Sequence, residues 1–113
     1  MQILFKICSA AEWRVAVENG VYAGSAVDHA DGFIHLSTMD QVRETAARHF
    51  AGRTGLVLVA LVEADLSGLK WEPSRSGAPF PHVYGTIASR AARWVSPLPL
   101  QAGVHVFPPG IAS

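Results

Sequence analysis

The sequence predicts an α+β domain with a mixed or antiparallel sheet and two main helices. Three observations lead to this fold class. Apolar residues alternate with other residues over positions 3–8, which is typical of a strand. Two capping-box patterns then each precede a helical spacing of apolar residues. The second half of the chain carries short strand patterns, and prolines interrupt them.

The chain begins with a predicted strand, helix and loop. Positions 3–8 form the strand, and Ser9 with Glu12 forms the first capping box, in which both side chains bond to backbone amides. The helix that follows ends at Gly20, because glycine readily adopts the conformation that terminates a helix. Positions 21–31 show no periodicity, so we interpret them as a loop.

A second strand, a second helix and a central strand follow. Positions 33–37 form the strand, whose odd-numbered side chains share one face. Thr38 and Gln41 form the second capping box, and its helix stops at Gly52. Positions 56–62 are apolar on both faces, which indicates a central strand that is covered on both sides.

The second half of the chain is predicted to contribute short strands. Pro73 ends the first of them. Pro81 indicates that the second lies at a sheet edge, because proline lacks the amide proton that a central ladder uses. Positions 88–94 fit either one helical turn or a connector. The short strands are predicted at positions 69–72, 80–85, 94–95 and 104–107.

The composition fits a single domain that spans residues 1–113. Nine basic and nine acidic residues cancel, so the sequence does not favour DNA as a partner. The single cysteine, Cys8, lies in an apolar run and is predicted to be a buried, unreactive thiol. Because no apolar run is long enough for a membrane span and no secretory signal opens the chain, we expect a cytoplasmic protein without a membrane partner.

Two short motifs place a histidine where a strand pattern would accept an aliphatic residue. One motif holds His35 and the other holds His82. A buried imidazole costs free energy unless it is hydrogen-bonded or faces a cavity. Each histidine is followed two residues later by a hydroxyl, in Ser37 and in Tyr84. The pattern therefore predicts two strands that line one polar pocket for a small-molecule ligand.

His35 is a candidate for catalysis or for ligand positioning. Its imidazole can act as a general acid or base near neutral pH, or donate a hydrogen bond to a ligand. Ser37 and Thr38 lie where the strand meets a helix start, and the amides and positive dipole end there suit a phosphate. The alternatives are a core histidine bonded to a backbone carbonyl, and hydroxyls that only cap the helix.

His82, Tyr84, Glu72 and Arg75 are further candidates. His82 and Tyr84 offer an aromatic surface with a polar edge, which suits stacking on a base or a nicotinamide-like ring. If Glu72 faces the pocket, it can bind a ribose hydroxyl or stabilise a cationic centre. Arg75 can pair with Glu72 or with a phosphate. The alternatives are a half-buried strand face and a solvated carboxylate.

Metal binding and nucleophilic catalysis have less support. His35, His82 and Glu72 could together ligate the ion of a metal-dependent hydrolase. The sequence lacks the closely spaced ligand pair that most metal motifs contain, so no metal is predicted. Nucleophilic catalysis is disfavoured because Cys8 is predicted to be buried and Ser37 does not lie in a Gly-x-Ser-x-Gly elbow.

The histidine motifs, together with the Trp-Glu-Pro segment at positions 71–73, resemble the hallmark segments of the bacterial domain-of-unknown-function family 952. The resemblance extends from position 3 to about position 95 and includes Trp13, Tyr22 and Gln41. By fold, that family has been grouped with ADP-ribosyltransferases and the related RNA 2′-phosphotransferases. The resemblance therefore implies an ADP-ribosyltransferase-like split sheet that holds NAD.

The same resemblance implies roles for individual residues. Positions 32–38 correspond to the superfamily's strand–Ser–helix segment, Lys6 to its first-strand residue, and His82 or Tyr84 to its late-strand polar residue. We therefore expect a protein that binds or processes NAD or an ADP-ribosyl-like nucleotide, with no further cofactor. The alternatives are a non-catalytic module that binds a small molecule or a protein, and a metal-dependent hydrolase.

Overall fold

The computed structural model describes residues 1–74 and 77–111. Two short 3-10 helices lie at Glu63–Asp65 and Ser89–Ala91. In chain order, the helices and strands of the described residues are β1 (Ile3–Ser9), α1 (Ala10–Asn19), β2 (Val21–Tyr22), α2 (Ala26–Asp31), β3 (Ile34–His35), β4 (Ser37–Thr38), α3 (Val42–His49), β5 (Leu56–Val62), β6 (Leu69–Pro73), β7 (Pro79–Val83), β8 (Ile87–Ala88), β9 (Trp94–Pro97), β10 (Leu100–Gln101) and β11 (Val104–His105).

A four-stranded antiparallel sheet, in the order β4-β1-β5-β9, forms the centre of the fold. β1 pairs with β5 along its whole length, from Ile3 opposite Val62 to Ser9 opposite Leu56. Alternate side chains of these two strands enter separate hydrophobic clusters, one that includes α1 and one that includes α3. β5 is therefore covered on both faces, and the prediction of a buried central strand is confirmed.

A second antiparallel sheet, in the order β3-β7-β6, carries both histidine motifs. His35 lies opposite His82 where β3 pairs with β7. Glu72 lies opposite Phe80 where β6 pairs with β7. Two smaller pairs, β2 with β8 and β10 with β11, complete the strand pairing of the described residues.

The strand predicted at positions 33–37 is divided between these two sheets. β3 ends at His35 in the second sheet, whereas β4 begins at Ser37 in the central sheet. Leu36 is the single residue between them, and its side chain is buried in the cluster that includes α1. The alternation of side chains continues through this change of partner, so periodicity could not reveal it.

The edge position predicted from Pro81 is wrong, because β7 is the middle strand of its sheet. The Pro81 carbonyl accepts a hydrogen bond from the Leu36 amide at 3.0 Å. The nitrogen and carbonyl of a strand residue point to the same side, so the missing amide proton of Pro81 falls toward β3. Because β3 ends at His35, this side of Pro81 lies at the end of the β3–β7 ladder. The missing amide proton therefore costs the sheet no hydrogen bond.

Positions 21–31 are predicted as a loop, but they contain β2 and helix α2. The helix starts with a capping box, in which the Asp28 amide donates to the Ser25 hydroxyl at 3.3 Å and the Ser25 amide donates to the Asp28 carboxylate at 2.9 Å. It ends at Gly32, whose φ of 87° lies in the left-handed region. The helix is too short to show an apolar period, and its buried residue is Asp28.

Helix α3 is shorter than its capping-box pattern predicts. The Thr38 amide donates to the Gln41 side chain at 3.0 Å, and the Gln41 amide donates to the Thr38 carbonyl at 3.1 Å. These two bonds close a turn rather than a first helical turn. The helix therefore begins at Val42, and it ends at His49, ahead of Gly52.

The other predicted elements are present apart from their ends, whereas β8 and β10 were not predicted. The capping box of Ser9 and Glu12 and the helix end at Gly20 are confirmed. The short strands predicted in the second half are present as β6, β7, β9 and β11, and a 3-10 helix precedes β9.

The predicted fold class, a small α+β domain, is confirmed. Within the described residues its strand pairs are all antiparallel, and it has three α-helices rather than two main ones. No helix in that part of the chain is long and apolar enough to cross a membrane.

Gly68 allows the chain to pass close to β7 on its way into β6. Its φ is 72°, and a Cβ at this position would overlap with the Tyr84 carbonyl oxygen. The Gly68 carbonyl also accepts from the Tyr84 amide at 2.8 Å. We expect Gly68→Ala to lower the free energy of unfolding by more than the ~1–2 kcal/mol that a left-handed alanine costs by itself. Urea denaturation measures this change.

Gly52→Ala is the matched control for this prediction. Gly52 has a similar φ of 75°, but a Cβ there would meet no atom within 4 Å. Its substitution should lower the free energy of unfolding only by the cost of a left-handed alanine. Equal losses for the two variants would contradict a close approach at Gly68.

Candidate functional site

An open cavity of about 920 Å³ is lined by residues of both larger sheets, of α2 and of α3. Not all of the site residues predicted from the sequence line this cavity. The cavity brings together Lys6, His35, Ser37 and His82. Three others, Thr38, Glu72 and Tyr84, are not among its lining residues. Arg75 lies outside the described residues.

The buried carboxylate of Asp28 organises one wall of this cavity. Its Oδ2 accepts from the Lys6 ammonium at 2.8 Å and from the Ser25 amide at 2.9 Å. Its Oδ1 accepts from the His35 amide at 3.1 Å and lies 2.6 Å from the ring Nδ1 of His35. One side chain therefore joins β1, α2 and β3.

Lys6 and Asp28 form a buried ion pair. The Lys6 side chain is 6% exposed, and its ammonium also donates to the His35 carbonyl at 3.1 Å. Burial would raise the pKa of the Asp28 carboxyl. The hydrogen bonds from His35 and Lys6 and the Lys6 charge outweigh burial and hold this pKa well below its usual range. Asp28 is therefore ionised at neutral pH, as its buried cationic partner requires.

Both ring nitrogens of His35 face carboxylates. Nδ1 contacts Asp28, and Nε2 lies 2.9 Å from Oδ2 of Asp31. Carboxylate oxygens only accept hydrogen bonds, so each ring nitrogen faces a group to which it can only donate. In this arrangement His35 is oriented as a donor, and neither nitrogen offers a lone pair to a ligand.

His82 is held at one nitrogen only. Its Nδ1 lies 2.7 Å from Oε1 of Glu72, and a carboxylate partner requires the proton to be on Nδ1. No described residue bonds to Nε2. His82 lines the cavity and Glu72 does not, so Nε2 is the ring nitrogen left available to a ligand.

Tyr84 completes a chain of three side chains. Its hydroxyl donates to both Glu72 oxygens, at 2.8 and 3.0 Å. The bonds from His82 and Tyr84 lower the pKa of the Glu72 carboxyl, and the bond to Glu72 raises the pKa of the Tyr84 hydroxyl. Near neutral pH, Glu72 is thus ionised and Tyr84 protonated. Tyr84 orients Glu72, and Glu72 orients His82.

Phe33 packs against both histidines. Its ring is stacked on His82 with centroids 4.0 Å apart, and its centroid lies 4.7 Å from that of His35. The two imidazoles themselves are 5.5 Å apart, edge to face. The two histidines therefore share one face of the second sheet, within reach of one small ligand.

The hydroxyl of Ser37 is used within the protein. Its Oγ lies 2.9 Å from the Thr45 hydroxyl, and Thr45 donates its own proton to the Gln41 carbonyl at 3.1 Å. Ser37 must therefore donate to Thr45, which leaves its oxygen only as an acceptor. An acceptor does not suit the phosphate contact that the strand–helix junction predicts.

Sequence reasoning does not select Asp28, Asp31 or Phe33. A signal for α2 was present, because Ser25 and Asp28 have the spacing of a capping box. Phe33 shares the odd-numbered face with His35, but an aromatic residue on a strand usually indicates core packing.

Two expectations about reactive groups can be compared with the coordinates. Within residues 1–74 and 77–111, no group of three or more His, Cys, Asp or Glu side chains is arranged to hold a metal ion. Cys8 is buried, and burial raises the pKa of its thiol to about 12. This agrees with the prediction of an unreactive thiol.

Asp28→Asn should lower the free energy of unfolding by about 3–5 kcal/mol, because it leaves the buried Lys6 ammonium without a counter-charge. Urea unfolding at neutral pH measures the loss. Asp31→Asn is the matched control, since the Asp31 side chain is 49% exposed. It should cost less than about 1 kcal/mol. Similar losses for the two variants would count against a dominant role for the Lys6–Asp28 pair.

The ion pair also predicts an acid dependence. Because folding lowers the pKa of Asp28, its contribution to stability is complete above the ordinary pKa of 3.8 and is lost as the pH falls below that value. The wild-type protein should therefore lose stability more steeply than Asp28→Asn between about pH 4 and pH 2. Parallel curves for the two proteins would show that Asp28 does not carry this dependence.

The chain is similar to a bacterial protein of known structure. The crystal structure of protein CC0527 from Caulobacter crescentus is 47% identical, covers 92% of this chain and 93% of that chain, and has a TM-score of 0.87. A solution NMR structure of CC0527 is 47% identical, covers 92% of this chain and 91% of that chain, and has a TM-score of 0.78. No curated protein matches the chain.

A family profile described as "Protein of unknown function (DUF952)" matches residues 7–95. This segment includes both histidine motifs, the Asp28 carboxylate and the chain from Tyr84 to His82. By this match, over most of its length, the chain belongs to the DUF952 family.

Proposed function

We propose that the cavity binds NAD or a related ADP-ribosyl nucleotide, and that His82 acts on it as a general acid–base group. The observation that carries the proposal is the environment of His82, which lines the cavity, has Nδ1 held by Glu72, and has no partner at Nε2 among the described residues. An imidazole oriented by a carboxylate, with its second nitrogen open to a ligand, is suited to proton transfer near neutral pH.

The size and lining of the cavity support a nucleotide ligand. Pockets for small ligands have volumes of roughly 300–1,000 Å³. At about 920 Å³ this cavity is at the upper end of that range, which suits a ligand as large as a dinucleotide. Phe33 and Phe80 line it and offer apolar faces to a ring, while Asp31 offers a carboxylate to ribose hydroxyls.

The proposed reaction on NAD is the loss of nicotinamide. A water or acceptor hydroxyl attacks C1′ of the ribose, the bond from C1′ to the pyridinium nitrogen breaks, and its electron pair neutralises that nitrogen. Nε2 of His82 takes the proton of the attacking oxygen. Asp31 lines the cavity with a half-exposed carboxylate, which favours the positive charge that develops at the sugar, whereas the charge of Asp28 is balanced by Lys6.

The proposal includes an ADP-ribosyltransferase-like arrangement of the two larger sheets. Its support is that separate four-stranded and three-stranded sheets both contribute to the cavity. One fold can serve many activities, so the proposed reaction is derived from His82 and its partners. A non-catalytic binding module and a metal-dependent hydrolase are the rival functions that the experiments below separate.

NAD and ADP-ribose are expected to bind without a metal ion. Because a ligand of the native state stabilises it, either compound should raise the melting temperature in the presence of EDTA, and titration calorimetry should give saturable binding. The hydroxyls, carboxylates and aromatic rings of the cavity provide the contacts. Loss of binding in EDTA, with recovery on adding zinc or manganese, would favour the metal-dependent hydrolase.

His82→Gln should preserve shape and some hydrogen bonding but remove proton transfer near neutral pH. Release of nicotinamide from NAD should fall by roughly 10²–10⁴-fold, the usual contribution of general acid–base catalysis. The dissociation constant for ADP-ribose should change little, because proton transfer contributes to the transition state rather than to ground-state binding.

His29→Gln is the matched control, since His29 is exposed and does not line the cavity. This variant should release nicotinamide from NAD at the wild-type rate. Wild-type protein that binds ADP-ribose but releases no nicotinamide would identify a receptor. A His82→Gln protein that fails to fold would mean that His82 has a structural role.

A further inference from the structure

We infer that the α3 side of this cavity is a subsite for the phosphate groups of the ligand, formed by Arg48, Arg53 and His49. The inference deepens the proposed function and rests on it. All three side chains line the cavity, two of them from the last turn of α3 and one from the segment that follows. Sequence reasoning instead places the phosphate at the strand–helix junction of Ser37 and Thr38.

The charges that line the cavity are unevenly distributed. Arg48, His49 and Arg53 lie on the α3 side. Asp31 lies on the α2 side, where the charge of Asp28 is balanced by Lys6. A ligand with an anionic end and a hydroxyl-rich or cationic end therefore has one favourable orientation. Its phosphates face α3, and its ribose and ring face α2 and the histidines. This orientation places the reacting sugar beside His82.

Arg53 is positioned by the backbone around it. Its amide donates to the Phe50 carbonyl at 3.0 Å, and its carbonyl accepts from Nε2 of the buried His105 at 2.8 Å. The Arg53 guanidinium lies over the Phe50 ring, 5.1 Å from the centroid. Such a contact restricts a side chain that would otherwise be mobile, so less entropy is lost when it binds an anion.

Among the residues that the structure describes, Arg48 has one weak partner. Its Nε lies 3.8 Å from a Glu44 oxygen, and both side chains are about two-thirds exposed, at 67% and 65%. An exposed pair at this distance contributes little, so a phosphate that binds both guanidinium nitrogens can compete with it.

Negative charge on the α3 side of the cavity opposes the binding of an anion. Two arginines are therefore needed to attract a phosphate there. Glu44 lines the same part of the cavity, and the carboxyl end of α3 carries partial negative charge. One guanidinium would be largely offset by them. Two guanidinium groups outnumber the single carboxylate of Glu44 on this side of the cavity.

The experiment compares ligands with and without phosphates on the Arg48→Gln/Arg53→Gln double variant. The affinity for ADP-ribose should fall roughly tenfold to a hundredfold, since charge-assisted hydrogen bonds are lost. The affinity for adenosine, which lacks phosphate, should change less than about twofold. Arg14→Gln is the matched control, because Arg14 is exposed and does not line the cavity. It should leave both affinities unchanged.

Inorganic pyrophosphate separates failure of the subsite from failure of the proposed function. If the wild-type protein binds neither ADP-ribose nor adenosine, the proposed function fails. Pyrophosphate binding that the double variant loses would still support an anion subsite at Arg48 and Arg53. The inference is overturned if the double variant retains wild-type affinity for pyrophosphate or ADP-ribose, if wild-type protein does not bind pyrophosphate, or if adenosine affinity falls equally.

Discussion

The buried carboxylate of Asp28 is the interaction on which the rest of the site depends. It binds the Lys6 ammonium, two amides and the His35 ring, and so joins β1 to α2 and β3, which lie well after it in the sequence. Neither charge could stay in the interior alone, since an isolated buried ion costs several kcal/mol. The short helix that carries Asp28 has little apolar surface of its own, so this ionic contact is a main reason for its position.

The two histidines lie opposite each other in one strand pair but have different surroundings. His35 contacts carboxylates at both nitrogens, which suits a fixed hydrogen-bond donor. His82 contacts a carboxylate at one nitrogen and lines the cavity, and its second nitrogen has no partner among the described residues. This arrangement suits proton transfer. A single residue type thus acquires two roles from its partners, and those partners come from α2 in one case and from β6 in the other.

Features of the fold that depend on a local pattern could be predicted from the sequence. Features that depend on partners distant in the sequence could not. The buried strand at positions 56–62 and the Ser9 capping box could be predicted, because apolar runs and cap spacings are local signals. The change of sheet at Leu36 could not, since it alters the hydrogen-bond partner without altering the alternation. The Glu72–His82 contact joins adjacent strands, which no spacing encodes. Asp28 was hidden for a similar reason, as its burial follows from Lys6.

The change of sheet at Leu36 also limits how the cavity can deform. His35 and Ser37 both line the cavity, yet they belong to different sheets and are separated by one residue. Consecutive Cα atoms are ~3.8 Å apart, so at this corner the two sheets cannot separate without breaking their strand pairing. Any widening of the cavity that preserves the strand pairing must therefore occur away from this corner. Leu36 thus marks the point at which the two sheets stay joined.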